Sequence, residues 1–194
     1  EIPVFLDSPL AIRLTEVYRK YDRYLTHGVH GKTGADELHM FSFPSLKMTL
    51  ATEASKSIND VPSPKIVIAG SGMSQGGRIL HHERRYLPDP RSTLLIIGYQ
   101  ALGSLGRKIL EGHTTVRMFG EDVPVRCRVR AIGGYSAHAD QRQLLEWLKP
   151  MASHLKKVFV VQGEEEASIA LAGKIKEHFH LDTEIPLSGA KVVL

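Results

Sequence analysis

Residues 65–78 read Lys-Ile-Val-Ile-Ala-Gly-Ser-Gly-Met-Ser-Gln-Gly-Gly-Arg, and this stretch decides the fold class. The apolar run at its start is typical of a buried strand, and a glycine-rich turn and a predicted helix over 77–87 follow it. Residues 93–111 repeat the same order, with a second buried strand, a second glycine-containing turn and a predicted helix over 104–111. Apolar runs that alternate with helical patterns predict an α/β fold with a largely parallel sheet.

The residues before this stretch extend the pattern toward the amino terminus. Val4–Leu6 predicts another strand, and Asp7-Ser-Pro begins a helix that we expect to reach about Leu25. One face of this helix collects the apolar side chains of Leu10, Leu14, Val17, Tyr18 and Tyr21. Residues 26–45 have little apolar content and predict an irregular loop.

The residues after the second helix change in character. Short, partly alternating apolar runs at 116–119, 123–125 and 127–132 favour an antiparallel sheet, with Gly120-Glu-Asp as a hairpin turn. Further on, the pattern predicts helices over 139–149 and 165–179, a buried strand at 157–161, and a closing strand or pair over 184–194. We therefore predict two domains, 1–112 and 113–194.

Composition restricts the class of protein. The 194 residues carry 25 basic and 21 acidic side chains, a net charge of +4 that is compatible with a polyanionic partner. The single Cys127 excludes an internal disulfide, and no apolar run has the roughly 20 residues that span a bilayer. The first residues lack the basic start of a signal peptide, so we expect a cytoplasmic protein without a membrane partner.

Polar or glycine-rich turns follow four of the predicted strands, at 7–9, 70–78, 98–107 and 162–164. Such turns line the carboxyl edge of a parallel sheet, where ligands usually bind. Helix amino termini with Arg78 and Arg107 nearby would suit phosphate. Two other interpretations stay open. The glycines can simply permit tight turns, and the Gly-x-Gly pattern superficially resembles a dinucleotide fingerprint, although Gly98-Tyr99 replaces the acidic residue expected there.

His138 follows a predicted strand and opens a predicted helix. The helix dipole and Asp140 would act on its imidazole in opposite directions, which suits a group that donates or accepts a proton near neutral pH. The alternative is a polar turn in which Ser136 caps the helix. The remaining histidines are weaker candidates. His27, His30 and His39 lie in the predicted loop at no standard zinc spacing, and the adjacent His81 and His82 would face different directions on a helix.

Four motifs together resemble the β-CASP branch of the metallo-β-lactamase superfamily of zinc-dependent RNA-processing nucleases. They are Asp7-Ser-Pro-Leu-Ala, Gly70-Ser-Gly-Met, Gly98-Tyr-Gln-x-x-Gly-Ser-x-Gly-Arg107 and Gly134-Tyr-Ser-Ala-His-Ala-Asp140. The resemblance covers essentially the whole chain. Ser104 replaces a common Thr of the family, which keeps the hydroxyl.

The resemblance implies a Rossmann-like β-CASP lid, incomplete at its amino end, over 1–112. Residues 113–194 would then be the carboxyl-terminal part of a metallo-β-lactamase-like domain, the RNA-metabolising segment. In such enzymes a metal-activated hydroxide attacks phosphorus, and the proton donor to the leaving oxygen maps onto His138. The implied partner is single-stranded RNA, and the RNA-contacting residues that we predict are Ser71, Gly72, Gln100, Arg107 and Ser136. A homodimer is compatible with the resemblance.

Two departures from the family pattern limit these expectations. The zinc-binding His-x-His-x-Asp-His motif belongs to an amino-terminal part that this chain lacks and that we expect as its partner in the parent protein. The family's ligand in Val-His-Gly-Glu is replaced here by Gln162, and an amide binds zinc less well than imidazole. We therefore expect two zinc ions in the parent, and neither zinc nor activity in this fragment alone. The alternatives are a non-catalytic RNA-binding or scaffolding relative and an unrelated Rossmann-like small-molecule binder.

Overall fold

The computed structural model describes residues 1–21, 24 and 41–192. These residues form two compact units, Glu1–Tyr135 and Ser136–Leu194, each built from short sheets and helices. Within the described part of the chain, no helix combines the length and the apolar character needed to cross a bilayer.

Most predicted strands and helices occur in the predicted order, whereas the strand at 46–48, the helix at 52–57 and the turn at 58–60 were not predicted. The strands are β1 (Val4–Asp7), β2 (Leu46–Met48), β3 (Ile66–Ala69), β4 (Thr93–Ile97), β5 (Thr115–Met118), β6 (Glu121–Pro124), β7 (Arg128–Ile132), β8 (Lys157–Phe159) and β9 (Asp182–Glu184). The α-helices are α1 (Pro9–Lys20), α2 (Thr52–Ser57), α3 (Ile79–Tyr86), α4 (Leu105–Leu110), α5 (Gln141–Leu148) and α6 (Glu165–Phe179). Short 3₁₀ helices also lie at Ile58–Asp60 and Lys149–His154.

The first unit contains three separate sheets. β1 lies between β2 and β3 in a parallel sheet, and all four of its residues are buried. β4 pairs in parallel with β7, and β5 and β6 form an antiparallel hairpin. Phe119 and Gly120, at the tip of the hairpin, both have positive φ, as the tightest hairpin turns require. The predicted mixed α/β fold with mostly parallel pairing is thus confirmed.

The second unit pairs β8 in parallel with β9 and packs α5 and α6 around them. α6 ends where His180 adopts the left-handed conformation, with φ of 57°. Each unit has its own apolar core. The core of the first unit is Leu87, Ile109, Val116, Met118 and Val123, and the core of the second is Leu148, Val160, Ala172, Ile175 and Leu181.

Helix α1 corrects one prediction. Ser8 caps it and Pro9 occupies its first turn, as expected. The apolar face named from the sequence is exposed, with Leu10 69% accessible, whereas Ile12 and Thr15 on another side of the helix are buried. The spacing of apolar residues predicts that the helix has an apolar face, but it does not say which face is buried. That depends on how the helix packs on the neighbouring sheet. α1 also ends at Lys20, earlier than predicted.

Three further expectations change. The strand predicted at 127–132 pairs with β4 in parallel, not antiparallel as expected. Alternation of apolar and polar residues indicates that one face of a strand is exposed, but it does not indicate the direction of the neighbouring strand. β3 and β4 were expected to be fully buried, but alternate residues such as Ile66 and Ile97 are about half exposed. The closing strand lies at β9, and 185–192 add no strand. Most of the loop predicted over 26–45 lies outside the described residues.

The division into domains 1–112 and 113–194 is a statement about family architecture, and it stays a prediction. In the structure β7 belongs with β4 in the first compact unit, which extends to Tyr135.

Candidate functional site

Asp7 ends β1, and its side chain is bonded to four other side chains of the first unit. It has no exposed surface. Thr49 donates to its Oδ1 at 2.7 Å and Ser55 donates to its Oδ2 at 2.7 Å. Arg78 Nη1 also donates to Oδ1 at 2.7 Å, and His82 Nε2 lies 2.7 Å from Oδ2. Buried charges persist only when paired in this way, so Asp7 acts as the junction of four segments of the chain.

The charge state of Asp7 follows from these contacts. Burial alone would raise the pKa of its carboxyl, because a buried charge is poorly solvated. Hydrogen bonds from Ser55, His82, Thr49 and Arg78 outweigh burial and hold the pKa of Asp7 below its usual value near 3.8. The carboxylate is therefore ionised throughout the neutral range.

Arg78, expected from the sequence near phosphate, is engaged inside the protein. Besides Asp7, its guanidinium donates to the carbonyl oxygens of Thr49 and Leu50. His81 and His82 contact different residues, as expected. His82 lies within hydrogen-bond distance of Asp7, and the ring of His81 stacks on that of Phe119 at a centroid separation of 5.0 Å.

The two glycine-rich turns are joined to each other by direct hydrogen bonds. Gln100 Nε2 donates to the carbonyl oxygen of Gly72 at 2.8 Å. The backbone N–H of Gly106 donates to the carbonyl oxygen of Met73 at 3.2 Å, and that of Ala101 lies 3.3 Å from Met73 Sδ. A Cβ at Gly106 would overlap Gln100 Oε1, so any larger residue there would displace the Gln100 side chain. The turns after β3 and β4 thus form one continuous surface.

Four of the five residues predicted to contact RNA lie together at this junction, although Gln100 is buried within it. Ser71 and Gly72 are exposed, and Gly72 is bonded to Gln100. Arg107 Nη1 donates to the carbonyl oxygen of Gln100 at 3.3 Å, and its Nε donates to Glu111 at 2.7 Å. Gln100 itself is only 3% exposed. Its position suits a link between the two turns better than a direct contact with a ligand.

Glu83 is a polar residue that sequence reasoning missed. It is buried on α3, Ser74 donates to its Oε1, and no described residue bonds its Oε2. Burial raises the pKa of Glu83, and the bond from Ser74 offsets this only in part. The sequence could have indicated the burial of Glu83 through its helical spacing. Glu83 is four residues from both Ile79 and Leu87 and so lies on the same inward face of the helix.

The fifth predicted contact, Ser136, and the predicted proton donor, His138, share one exposed turn of the second unit. The backbone N–H of His138 donates to Ser136 Oγ at 3.2 Å, and that oxygen lies 3.3 Å from His138 Nδ1. One hydroxyl therefore contacts both the backbone and the ring of His138. This arrangement positions the imidazole and leaves its Nε2 at the exposed surface.

The same turn corrects how the helix begins. Asp140, rather than Ser136, is the N-cap of α5, and it forms a capping box with Gln143. Because α5 begins at Gln141, His138 precedes the helix instead of opening it. The influence of the helix dipole on its imidazole is correspondingly weaker than the sequence predicted.

Gln162 lies just after β8, exposed, in the left-handed conformation with φ of 62°. Zinc prefers imidazole, thiolate and carboxylate ligands. Among the described residues, no three His, Cys, Asp or Glu side chains come together as a metal-binding group. His27, His30 and His39 lie outside the described residues. The described residues therefore do not fit a zinc ion on their own.

The described residues form an α/β protein with polar turns after parallel strands in the first unit and an exposed serine–histidine pair in the second. The family model described as Beta-Casp domain matches residues 1–109, more than half of the chain. The model described as Zn-dependent metallo-hydrolase RNA specificity domain matches 122–186. The chain therefore belongs to the β-CASP family of metallo-β-lactamase-fold RNA nucleases, which confirms the resemblance seen in its motifs.

Curated relatives agree with this assignment. Ribonuclease TTHA0252 of Thermus thermophilus is 43% identical over 178 residues, which cover 89% of this chain and 39% of the relative. Transcription termination factor FttA of Methanosarcina mazei is 30% identical over 94% of this chain and 29% of its own length. FttA of Thermococcus kodakarensis is 28% identical over 96% and 29%. The chain thus spans between about a quarter and two fifths of these relatives.

Proposed function

We propose that the full-length protein containing this chain is a zinc-dependent ribonuclease that hydrolyses RNA phosphodiester bonds. In this proposal the chain supplies part of the RNA-binding surface and the general acid, His138. The observation that carries the proposal is the Ser136–His138 turn, with an exposed imidazole held at Nδ1 by a hydroxyl. Family membership and the 43% identity to a ribonuclease support it. The metal ions would be bound mainly outside this chain, because the described residues do not fit them.

The geometry around His138 suits proton donation from Nε2. In the imidazolium form, Nδ1–H donates to Ser136 Oγ, and the exposed Nε2–H faces outward. Transfer of the Nε2 proton to the leaving oxygen, as the P–O bond breaks, leaves a neutral ring that still carries its Nδ1 proton. The bond to Ser136 therefore persists before and after the transfer. The ring needs no reorientation, which favours a general acid.

The joined turns of the first unit would bind the RNA chain. Ser71 and Gly72 present exposed backbone and a hydroxyl, and Gln100 and Arg107 are bonded behind them. Phosphate contacts of this kind position a nucleic acid without reading its sequence.

A second candidate function is RNA binding without catalysis. Gln162, at the position where the family has a zinc ligand, favours this alternative because a neutral amide is a poor zinc ligand. Under this alternative the proton donor would have no activated water to work beside.

Substitution of His138 by Ala in the full-length protein tests the proposal. We expect RNA cleavage to fall by about 10²–10⁴-fold, the usual contribution of a general acid, while zinc content and RNA affinity stay at wild-type levels. His154→Ala is the matched control, because His154 is also exposed with a serine hydroxyl at its Nδ1. Cleavage by His138→Ala near the wild-type rate, with zinc bound, would exclude His138 as the donor. Absence of cleavage by the zinc-loaded wild type would favour the second candidate.

A further inference from the structure

Three arginines at alternate positions on and just before β7 form what we call the arginine row: Arg126, Arg128 and Arg130. All three are exposed, whereas Cys127 and Val129 between them are partly buried. Alternate residues of a strand point to the same face and stand about 6.6 Å apart. Arg128 and Arg130 belong to β7 and therefore share one face, whereas Arg126 precedes the strand, with a bend at Cys127 between it and Arg128.

The backbone under the arginine row is held in place. The N–H of Arg126 donates to the carbonyl oxygen of Leu87 at 2.8 Å, and that of Arg128 donates to Ser92 at 3.0 Å. Arg128 and Arg130 are then paired with Thr93 and Leu95 in the parallel ladder with β4. The long side chains are free to adapt, but their points of attachment are fixed.

The arginine row has no carboxylate partner within residues 1–21, 24 and 41–192. The one side-chain bond among the three runs from Arg130 Nη1 to the carbonyl oxygen of Val129 at 3.2 Å. Three other exposed arginines are paired, Arg91 with Asp89, Arg117 with Asp122 and Arg142 with Glu146. Arg13 and Arg85 are exposed and, like the row, have no carboxylate partner among the described residues. Three adjacent unpaired positive charges repel one another and attract a polyanion.

Apolar side chains continue the same face toward the carboxyl ends of the strands. Leu95 and Ile97 of β4 and Ile132 of β7 are 46%, 60% and 37% exposed. Arg130 is the ladder partner of Leu95, and Ile132 that of Ile97, so these residues share the face of the row. Single-stranded nucleic acid is bound by basic grooves that hold its phosphates beside side chains, usually aromatic, that contact its bases. Here the side chains beside the basic row are aliphatic.

We propose that the exposed face of β4 and β7 is a second RNA-binding surface, on which the arginine row binds successive phosphates of a single strand. The proposal rests on the proposed function in one respect, that the ligand is RNA. A single strand suits the row better than a duplex does, because its flexible backbone can follow three exposed arginines that lie on both sides of the bend at Cys127. The apolar residues beside the row would contact the bases.

Salt-dependent binding of a short, fluorescein-labelled, 2′-O-methyl single-stranded RNA by the full-length protein tests the proposal. This probe resists cleavage, so affinity is measured without turnover. Each phosphate contact with a single strand contributes about 0.7 to the slope of log K against log salt. For the triple variant Arg126→Gln, Arg128→Gln, Arg130→Gln, we expect the magnitude of that slope to be smaller than in the wild type by about 2. The corresponding triple lysine variant should keep most of it.

The matched control removes the same charge elsewhere, by Arg91→Gln, Arg117→Gln and Arg142→Gln. Because these arginines are already paired with carboxylates, we expect the slope to change little. Equal losses in both triple variants, or a wild-type slope in the arginine-row variant, would overturn the proposal while the proposed function stands. No RNA binding by the wild type would overturn both. If the triple glutamine variant does not fold, Arg128→Gln alone should lower the slope by about 0.7, and an unchanged slope would also overturn the proposal.

Discussion

At the scale of single residues, Asp7 has the clearest energetic role. Its buried carboxylate accepts hydrogen bonds from side chains that lie 42 to 75 positions away in the sequence. Removing one member of a buried charge network leaves the others buried without a partner, which costs about 3–5 kcal/mol. Arg78 and His82 would be the groups left behind.

We therefore predict that Asp7→Asn lowers the free energy of unfolding at pH 7 by about 3 kcal/mol or more, measured by urea denaturation. The folded pKa of Asp7 lies below its usual value near 3.8. Its contribution is thus fully present above pH 3.8 and is lost as the pH falls through the folded pKa. The difference in free energy of unfolding between the wild type and Asp7→Asn should therefore become smaller below pH 3.8.

Asp89→Asn is the control for this prediction. Asp89 is paired with Arg91 in a largely exposed ion pair, so its loss should change the free energy of unfolding little. If Asp7→Asn were as mild as this control, the Asp7 network would not stabilise the fold as described.

Individual residues also show what sequence can predict. The His138 turn was recognisable because its motif is continuous, and the serine contact lies two residues away. The Asp7 network was not recognisable, since its members are brought together only by the pairing of β1 with its neighbours. Arg78 was expected near phosphate because its helix position is visible in the sequence, but its contact with Asp7 is not.

At the scale of elements, the order and approximate bounds of most strands and helices were predictable, because an apolar run, a cap or a glycine turn signals each of them locally. The short β2 and α2 were not predicted, and α2 has no side-chain cap that could have signalled it. α6 was predicted over the residues that it occupies. What could not be predicted is which face of an element is covered. Leu10 and Ile12 of α1 are both apolar, yet only Ile12 is buried. That choice depends on the neighbouring sheet and not on α1 itself.

The junction of the two glycine-rich turns gives a prediction at this scale. Gly106→Ala should lower the free energy of unfolding by about 1–3 kcal/mol, the usual cost of inserting an atom into a packed site. The new methyl group would overlap Gln100 Oε1 and displace the side chain that bonds Gly72. Thermal and urea unfolding of the single variants and of the double variant with Gln100→Ala measure the coupling between the two positions. We expect the loss in free energy of unfolding in the double variant to be smaller than the sum of the losses in the two single variants.

Gly173→Ala is the control for Gly106→Ala, and we expect it to change stability in the opposite direction. Gly173 is exposed within α6 and has open space around it, so alanine should stabilise the helix by about 0.5–1 kcal/mol. If both alanine variants shifted stability in the same direction, the close approach at Gly106 would not be the cause.

At the scale of the whole molecule, this chain spans 39% of the ribonuclease relative and about 29% of the FttA relatives. Its two units carry different parts of the proposed reaction. The first holds the joined turns and the arginine row, and the second holds His138 and Gln162. Because the described residues gather no metal-binding group, metal affinity is a property to be measured on the full-length protein.

Gln162 gives the prediction that belongs to this scale. If it occupies a ligand position, Gln162→His should increase the zinc that the full-length protein retains against a competing chelator, because imidazole replaces a weak amide ligand. Histidine is among the residues that tolerate positive φ, so the left-handed backbone at 162 should accept it. Gln75→His, in an exposed turn of the first unit, controls for simply adding a histidine. Zinc content and RNA cleavage should both rise for Gln162→His and not for Gln75→His. Unchanged zinc retention in Gln162→His would show that residue 162 is not a ligand position, and the wild-type amide would then be no argument against activity.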